Sequence, residues 1–228
     1  MTLEEYFGDW MKVIDKKELL KVTKNVNTLY KTKKCSPQYK DIFKAFHVTP
    51  YNSLHTVMLL QDPYANNMAT GIAVGNRNDV TNLSPSLEVL KEAAIDYTIP
   101  HYGLQFDNTL ESWSEQGILM LNTALTVEYG NPGSHSVLWR NFMIKLIKNL
   151  NAYNPGLIWV LWGTSAKSFK NYITSGNIVE EYHPAYYARN NSKIDKTLFR
   201  KLASTIKYHF DVDVKWYKEY PDDTESEQ

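Results

Sequence analysis

The sequence has a single cysteine, Cys35, in 228 residues. One thiol cannot form a disulfide within the chain, a cysteine-based zinc site or an iron–sulfur cluster. The sequence also lacks an apolar run approaching the roughly 20 residues needed to cross a bilayer. Its acidic, amphipathic start, MTLEEYFGDWMK, is unlike a signal peptide. We therefore expect a cytoplasmic protein that needs no metal, cofactor or membrane.

An excess of either charge is likewise missing, because Lys+Arg and Asp+Glu both number 25. Net charge therefore gives no sign of a nucleic-acid partner, although a neutral protein can still carry a local basic face. With 43% hydrophobic and 22% charged residues, the composition is that of a globular protein with a sizeable core. No repeat or linker stands out, so we expect one domain over residues 1–228, with a short frayed acidic tail at about 221–228.

Buried strands alternate with helices along the chain. Apolar runs predict strands at residues 53–61, 118–127 and 156–163, a fourth strand that runs into a loop within 177–187, and a short apolar piece at 70–75. Helical spacing occurs at residues 3–30, 36–48, 84–97, 135–154, 164–173 and 192–210. This order predicts an α/β fold, a parallel sheet with helices on both faces.

Polar residues stand where each predicted strand ends. They are Asp62, Asn122, Gly163-Thr164 and His183-Pro184. Each has an ordinary structural explanation alone, as a turn residue, a helix cap or a surface histidine. Ligands of such folds bind outside the carboxyl ends of the strands. An acid, an amide and an imidazole are therefore expected to face one crevice, which predicts a functional site.

Five ordered segments resemble the family 1 uracil-DNA glycosylases. They are FKAFHVTPYNSLHTVMLLQDPY, GILMLNTALTV, GSHSVLWRNF, VLWGTSAKSF and HPAYY, and VKWYKE resembles the family's closing segment. The resemblance covers about residues 36–217 and implies a four-stranded parallel sheet flanked by helices. The divergent loops are similar to those of viral or phage members, for which the location would be the host-cell compartment that holds DNA.

The resemblance implies an enzyme of base excision repair that flips uracil out of DNA and hydrolyses its N-glycosidic bond, leaving an abasic site. Positive charge develops on the sugar while the base departs as an anion. Asp62 would stabilise the cationic sugar and orient the attacking water. His183 would donate a hydrogen bond to the uracil anion.

The resemblance also implies a uracil pocket. Gln61 would offer its backbone amide, and Asn122 would read the uracil edge with one donor and one acceptor. Tyr64 would lie beside C5 and exclude the methyl group of thymine. Val74 stands where the family has a phenylalanine that stacks on uracil, and losing that ring would weaken base binding by about 1–3 kcal/mol.

The DNA contacts implied by the family fall on three loops. The corresponding residues are Ser84, Pro85 and Ser86 in a proline-rich loop, Gly163 and Thr164 in a Gly-Ser loop, and Pro184, Ala185, Tyr187 and Arg189 in the last loop. Tyr187 replaces the leucine that wedges into the duplex. Ala185 and Ala188 replace hydroxyl residues, and Arg189 could restore a phosphate contact.

Two functions from different classes stay open. Asp62, Asn122 and His183 favour an active, metal-independent uracil-DNA glycosylase. Val74, Ala185 and Ala188 favour a protein that keeps the fold but binds DNA or protein in a replication or regulatory complex. Implied partners are single- or double-stranded DNA containing uracil, with a DNA-mimicking protein inhibitor or replication proteins as further candidates. The chain is expected to be a monomer.

Overall fold

The computed structural model describes residues 1–95 and 104–219. Its strands are β1 (Cys35–Ser36), β2 (Thr56–Leu60), β3 (Leu104–Gln105), β4 (Ile118–Asn122), β5 (Val127–Glu128), β6 (Ile158–Trp162), β7 (Asn177–Glu181) and β8 (Lys218–Glu219). Its α-helices are α1 (Leu3–Phe7), α2 (Lys16–Thr32), α3 (Lys44–Val48), α4 (Pro85–Ala94), α5 (Glu111–Glu115), α6 (Ser136–Tyr153), α7 (Gly163–Lys167), α8 (Pro184–Arg189) and α9 (Leu198–Phe210).

Four parallel strands form the central sheet, in the order β4-β2-β6-β7. Every residue of β2, β4 and β6 is buried, because helices cover both faces of the sheet. The edge strand β7 is partly exposed. The predicted α/β fold, with its four-stranded parallel sheet, is confirmed.

Side chains of each strand alternate between two cores, one on each face of the sheet. The first core packs α2, α3 and α6 and includes Leu19, Phe46, Leu59, Trp139 and Trp159. The second core packs α4, α5 and α9 and includes Leu60, Leu87, Trp113, Trp162 and Phe199. No described helix is both long enough and apolar enough to span a membrane.

The strand predicted at 118–127 is too long, because β4 ends at Asn122. The next two backbone N–H groups turn across the end of β2: Thr123 N donates to Leu60 O, and Ala124 N donates to Gln61 O, both at 3.0 Å. These bonds bend the chain out of the sheet, and they hold the end of β4 beside the end of β2.

The strand predicted to run into a loop within residues 177–187 is present. It ends at Glu181, and α8 begins at Pro184 instead of a loop. His183 is the N-cap and Pro184 occupies the first turn, where its fixed φ favours the helix and its missing N–H costs nothing.

Other predicted boundaries move in smaller ways. The predicted helices at 3–30, 36–48 and 164–173 each divide into short α and 3₁₀ segments, and α9 begins only at Leu198. Residues 70–75 contain no strand. The residues on either side of them, Ala69 and Asn76, form an isolated β-bridge. The predicted tail at 221–228, and the end of the helix predicted at 84–97, lie outside the described residues.

Candidate functional site

The carboxyl ends of the four central strands lie along one edge of the sheet. Leu60 pairs with Asn122, and Trp162 pairs with Glu181. Asp62, Gly163 and His183 follow these ends by one or two residues. The sheet therefore brings to one edge the acid, the amide and the imidazole that the sequence predicted to face one crevice.

A backbone donor from a distant loop holds Asp62. Its Oδ2 accepts a 2.5 Å hydrogen bond from Gly133 N, where φ is +83°, a left-handed conformation that favours glycine. Burial raises the pKa of Asp62, while the hydrogen bonds from Gly133 and the Gln61 side chain oppose that rise. Nothing in the sequence indicated that Gly133 contacts Asp62, because the two residues are 71 positions apart.

Asn122 carries an unpaired acceptor. The residue is 6% exposed, and its Oδ1 is buried without a hydrogen-bond partner among the described residues. A buried polar atom without a partner costs about 1–3 kcal/mol, so such atoms call for an explanation. A ligand that donates an N–H to this oxygen would remove the cost.

The segment carrying Gln61 is fixed to the loop after β4. The Gln61 carbonyl accepts hydrogen bonds from Thr123 Oγ1 at 2.7 Å and from Ala124 N at 3.0 Å. Gln61 thus lies between the end of β2 and Asp62 with its peptide orientation set by two donors, as a backbone contact to a ligand requires.

Tyr64 is tied at its hydroxyl. It donates to Val74 O at 3.0 Å and shares a short hydrogen bond with Ser84 Oγ. Val74 has φ +64° and is 8% exposed, and this left-handed conformation is unusual for a β-branched residue. The structure therefore brings the predicted pocket residues Tyr64 and Val74 into direct contact.

The loop predicted to contact DNA before α4 is mostly buried. Ser84 caps α4 by accepting from Leu87 N at 3.3 Å, and its own N–H donates to Asn76 Oδ1 at 2.9 Å. Ser86 is buried, whereas Pro85 is exposed. Ser84 therefore supports Tyr64 and the helix start, and in this conformation Pro85 is the exposed residue of the three.

His183 is a neutral imidazole. Its Nδ1 accepts a hydrogen bond from Ala185 N at 3.2 Å, which places the proton on Nε2. Burial, aided by the charge of Arg189, lowers the pKa of His183 to about 4. A Cβ on Gly163, where φ is +81°, would lie 2.9 Å from His183 Cβ, so this close approach of the two loops requires glycine.

Three tyrosines near His183 differ in their exposure to solvent. Tyr187, the predicted wedge, is half-buried and donates from its hydroxyl to Glu181 Oε2 at 2.5 Å. Tyr182 and Tyr186 are exposed instead, and sequence reasoning missed both. Arg189 is exposed on the same short helix. The repeated tyrosine in EYHPAYY was the available signal.

Two further residues predicted to contact DNA differ in their exposure. Thr164 is exposed at the start of α7, while Pro184 is buried at the start of α8. His135 is buried and pairs through Nδ1 with Thr126 Oγ1 at 2.9 Å. In the described part of the chain, no group of three or more His, Cys, Asp or Glu residues could hold a metal ion.

Comparisons with known proteins agree on one family. The family described as the uracil DNA glycosylase superfamily matches residues 46–207. A protein named uracil-DNA glycosylase from Fusobacterium nucleatum is 30% identical over 219 residues, which cover 92% of this chain and 95% of that protein. One with the same name from Coxiella burnetii is 40% identical over 156 residues, covering 65% of this chain and 66% of that protein, just under two thirds of its length.

The fold agrees with a solved structure. The crystal structure of mimivirus uracil-DNA glycosylase matches with a TM-score of 0.71 at 20% identity, covering 95% of this chain and 93% of that chain. Mimivirus glycosylase variants crystallised in complex with UGI also match, with TM-scores of 0.70 and 0.71.

Proposed function

The chain belongs to the uracil DNA glycosylase superfamily, and we propose that it excises uracil from DNA with Asp62 and His183 as catalytic residues. The observation that carries the proposal is the unpaired, buried Oδ1 of Asn122 at the edge where Asp62 and His183 also stand. Uracil carries an N–H between two carbonyl groups, so it matches the acceptor and donor of the Asn122 carboxamide.

Asp62 supplies the negative charge. The C1′–N1 bond breaks with its electron pair leaving on uracil N1, and positive charge develops on the sugar. The Asp62 carboxylate stabilises that charge, orients the water whose oxygen bonds to C1′ and accepts the proton that this water loses, while the released uracil anion takes a proton from solvent. Gly133 N holds one carboxylate oxygen, so the group is positioned before the reaction begins.

His183 acts on the departing base. Its pKa of about 4 keeps the imidazole neutral at pH 7, and the hydrogen bond from Ala185 N fixes the proton on Nε2. Nε2–H therefore donates to the carbonyl oxygen of uracil where negative charge accumulates, and no proton has to leave the protein for this interaction.

The base pocket is built from Gln61, Tyr64, Val74 and Asn122. The Gln61 backbone contacts uracil, and the Tyr64 ring lies beside C5 and excludes the methyl group of thymine. Both hydrogen bonds of the Tyr64 hydroxyl restrain that ring. Val74 offers no aromatic face, so uracil is held mainly by polar contacts.

The DNA partner meets the rim of this edge. The exposed residues Pro85, Thr164 and Arg189 support contacts to the strand, with Ser84, Ser86, Gly163, Pro184, Ala185 and Tyr187 shaping the loops behind them. We propose that residues 1–228 form one domain and act as a monomer in the cytoplasm. A DNA-mimicking protein that presents phosphate-like charges would compete for the same rim.

The test is uracil release from a labelled oligonucleotide in the presence of EDTA. Asp62→Asn and His183→Ala should each lower turnover by orders of magnitude and leave DNA affinity largely intact, because both groups act on transition-state charge. His209→Ala, a histidine exposed on α9, is the matched control and should retain full activity.

Three results would contradict the proposal. Near wild-type turnover in both variants would exclude the assigned roles. Activity lost with EDTA and restored by a divalent ion would exclude a metal-independent reaction. Wild-type protein that binds DNA but releases no uracil from either single or double strands would favour the alternative function, a protein that keeps the fold but only binds DNA or protein.

A further inference from the structure

Two exposed tyrosines stack on each other beside His183. The ring centroids of Tyr182 and Tyr186 are 4.5 Å apart with an interplanar angle of 18°. The residues are 56% and 41% exposed. Tyr182 follows β7 and Tyr186 lies in the first turns of α8, so the N-cap at His183 brings the two rings together.

A third tyrosine supports this pair from behind. Tyr187 meets Tyr182 edge-on at 6.2 Å and Tyr186 edge-on at 5.7 Å. Its hydroxyl is held by Glu181, and its ring packs against the second core. The two stacked rings therefore pack against a third ring that is held in place. As a result, less side-chain conformational entropy is lost when a ligand binds to the pair.

The charge around the pair suits a polyanion. Lys167 Nζ lies 5.3 Å from the Tyr182 ring centroid. Arg189 is exposed, and its charge depresses the pKa of the neighbouring His183. The nearby carboxylates are engaged, since Glu180 pairs with Lys170 and Glu181 accepts from Tyr187.

We propose that the Tyr182–Tyr186 pair is a stacking platform for the unpaired base next to uracil in single-stranded DNA, with Lys167 and Arg189 meeting the adjoining phosphates. Aromatic faces bind any base, and cationic side chains track the backbone, in proteins that bind single strands. In a duplex the bases beside uracil stay paired with the opposite strand, so they cannot turn outward onto the two exposed rings. The platform therefore favours single-stranded substrate, and this inference rests on the proposed function.

The experiment measures affinity by fluorescence anisotropy for two labelled 15-mers, one single-stranded and one duplex, each with an uncleavable abasic analogue at the centre. Tyr182→Ala and Tyr186→Ala should each weaken single-strand binding roughly tenfold and duplex binding much less. Tyr186→Phe keeps the ring and should bind as wild type. The matched control is Tyr208→Ala, whose tyrosine is exposed on α9; this variant should bind both DNAs normally.

Lys167→Ala adds an independent readout. It should reduce the dependence of log affinity on log salt for the single strand by about 0.7, as expected for one lost phosphate contact. Either alanine variant binding the single strand as wild type, or losing affinity equally for both DNAs, would overturn the platform. So would a loss by Tyr186→Phe as large as that by Tyr186→Ala.

Failure of the platform and failure of the proposed function give different results. Wild-type uracil release from duplex DNA tests the function without the platform. A protein that releases uracil but shows no tyrosine effect keeps its function and loses the platform. A protein that shows the tyrosine effect on DNA binding but releases no uracil keeps the platform and loses the function.

Discussion

Replacing Ser84 with alanine removes one hydroxyl that serves both the start of α4 and the ring of Tyr64, the proposed wall of the base pocket. That hydroxyl accepts from Leu87 N and bonds to the Tyr64 hydroxyl. Tyr64 keeps its second bond, to Val74 O. The ring should therefore stay in the pocket but gain freedom to move away from the position where it would block a 5-methyl group.

The loss has a stability part and a specificity part. An N-cap serine changed to alanine costs roughly 0.5–2 kcal/mol, and the lost bond to Tyr64 adds about 0.5–1.5 kcal/mol. At about 2–4 °C per kcal/mol for a chain of this size, the melting temperature should fall by several degrees. A single methyl is discriminated by roughly 10–200-fold in a tight pocket, and Ser84→Ala should lose part of that factor.

The assay compares single-turnover release of uracil and of thymine from otherwise identical oligonucleotides. Tyr64→Ala removes the wall and should release thymine. Ser84→Ala and Tyr64→Phe should each raise the thymine-to-uracil ratio by a smaller factor, and the double variant should add little, because both remove the same contact. Asp15→Ala is the matched control, since Asp15 caps α2 by accepting from Glu18 N, far along the chain from the pocket.

The reasoning fails if Ser84→Ala has the wild-type ratio while Tyr64→Ala releases thymine, since the serine would then not restrain the ring. It also fails if Asp15→Ala, with a similar loss of stability, changes the ratio as much. A role for Ser84 as a phosphate contact instead predicts equal weakening for both substrates.

Three other predictions concern single groups in the site. Because the pKa of His183 is about 4, the rate of uracil release should show no inflection near pH 6.5 and should decline only towards pH 4; an inflection at 6.5 that disappears in His183→Gln would contradict the neutral imidazole. Burial raises the pKa of Asp62, so the folded state binds this proton more tightly than the unfolded state and stability from this group is lost as pH rises through the raised pKa. Asp62→Asn should therefore have a higher melting temperature than wild type at pH 7, with the gap closing below the ordinary aspartate pKa, and an Asn variant less stable at pH 7 would exclude this account. Val74→Phe should strengthen binding of uracil by about 1–3 kcal/mol by adding a stacking face, whereas a lower melting temperature with weaker binding would show overpacking instead.

The sheet was predictable from sequence because a strand buried on both faces is apolar at every position, as β2, β4 and β6 are. The strand ends were not. β4 stops because Thr123 N and Ala124 N bond across to β2, and such tertiary bonds leave no local pattern. After β7 the sequence predicted a loop, although His183 as N-cap before Pro184 in the first turn is a local signal for the helix found there.

The position of the candidate residues at one edge of the sheet was predictable from sequence, but the contacts that support them were not. Ser84 lies 20 residues from Tyr64, and Gly133 lies 71 residues from Asp62, so neither contact has a spacing that sequence could reveal. Tyr186 is exposed, whereas Tyr187 is half-buried and its hydroxyl bonds to Glu181. Neighbouring tyrosines in a sequence carry no information about which one points outward.

Three unfavourable features of the structure concern residues of this one site. The Asn122 oxygen is buried without a partner among the residues that the structure describes, the carboxylate of Asp62 is partly buried with a raised pKa, and Val74 has a left-handed backbone. Each lowers stability, and packing alone would not favour any of them. A nucleobase that donates to Asn122, and a cationic sugar beside Asp62, would reverse the first two costs. The left-handed backbone of Val74 is stabilised by the hydrogen bond from the Tyr64 hydroxyl to Val74 O. This strained backbone therefore supports the ring that is proposed to face C5 of the base. If the proposed function is right, these features belong to a pocket that is ordered before its ligand arrives, and binding would recover the stability that they cost.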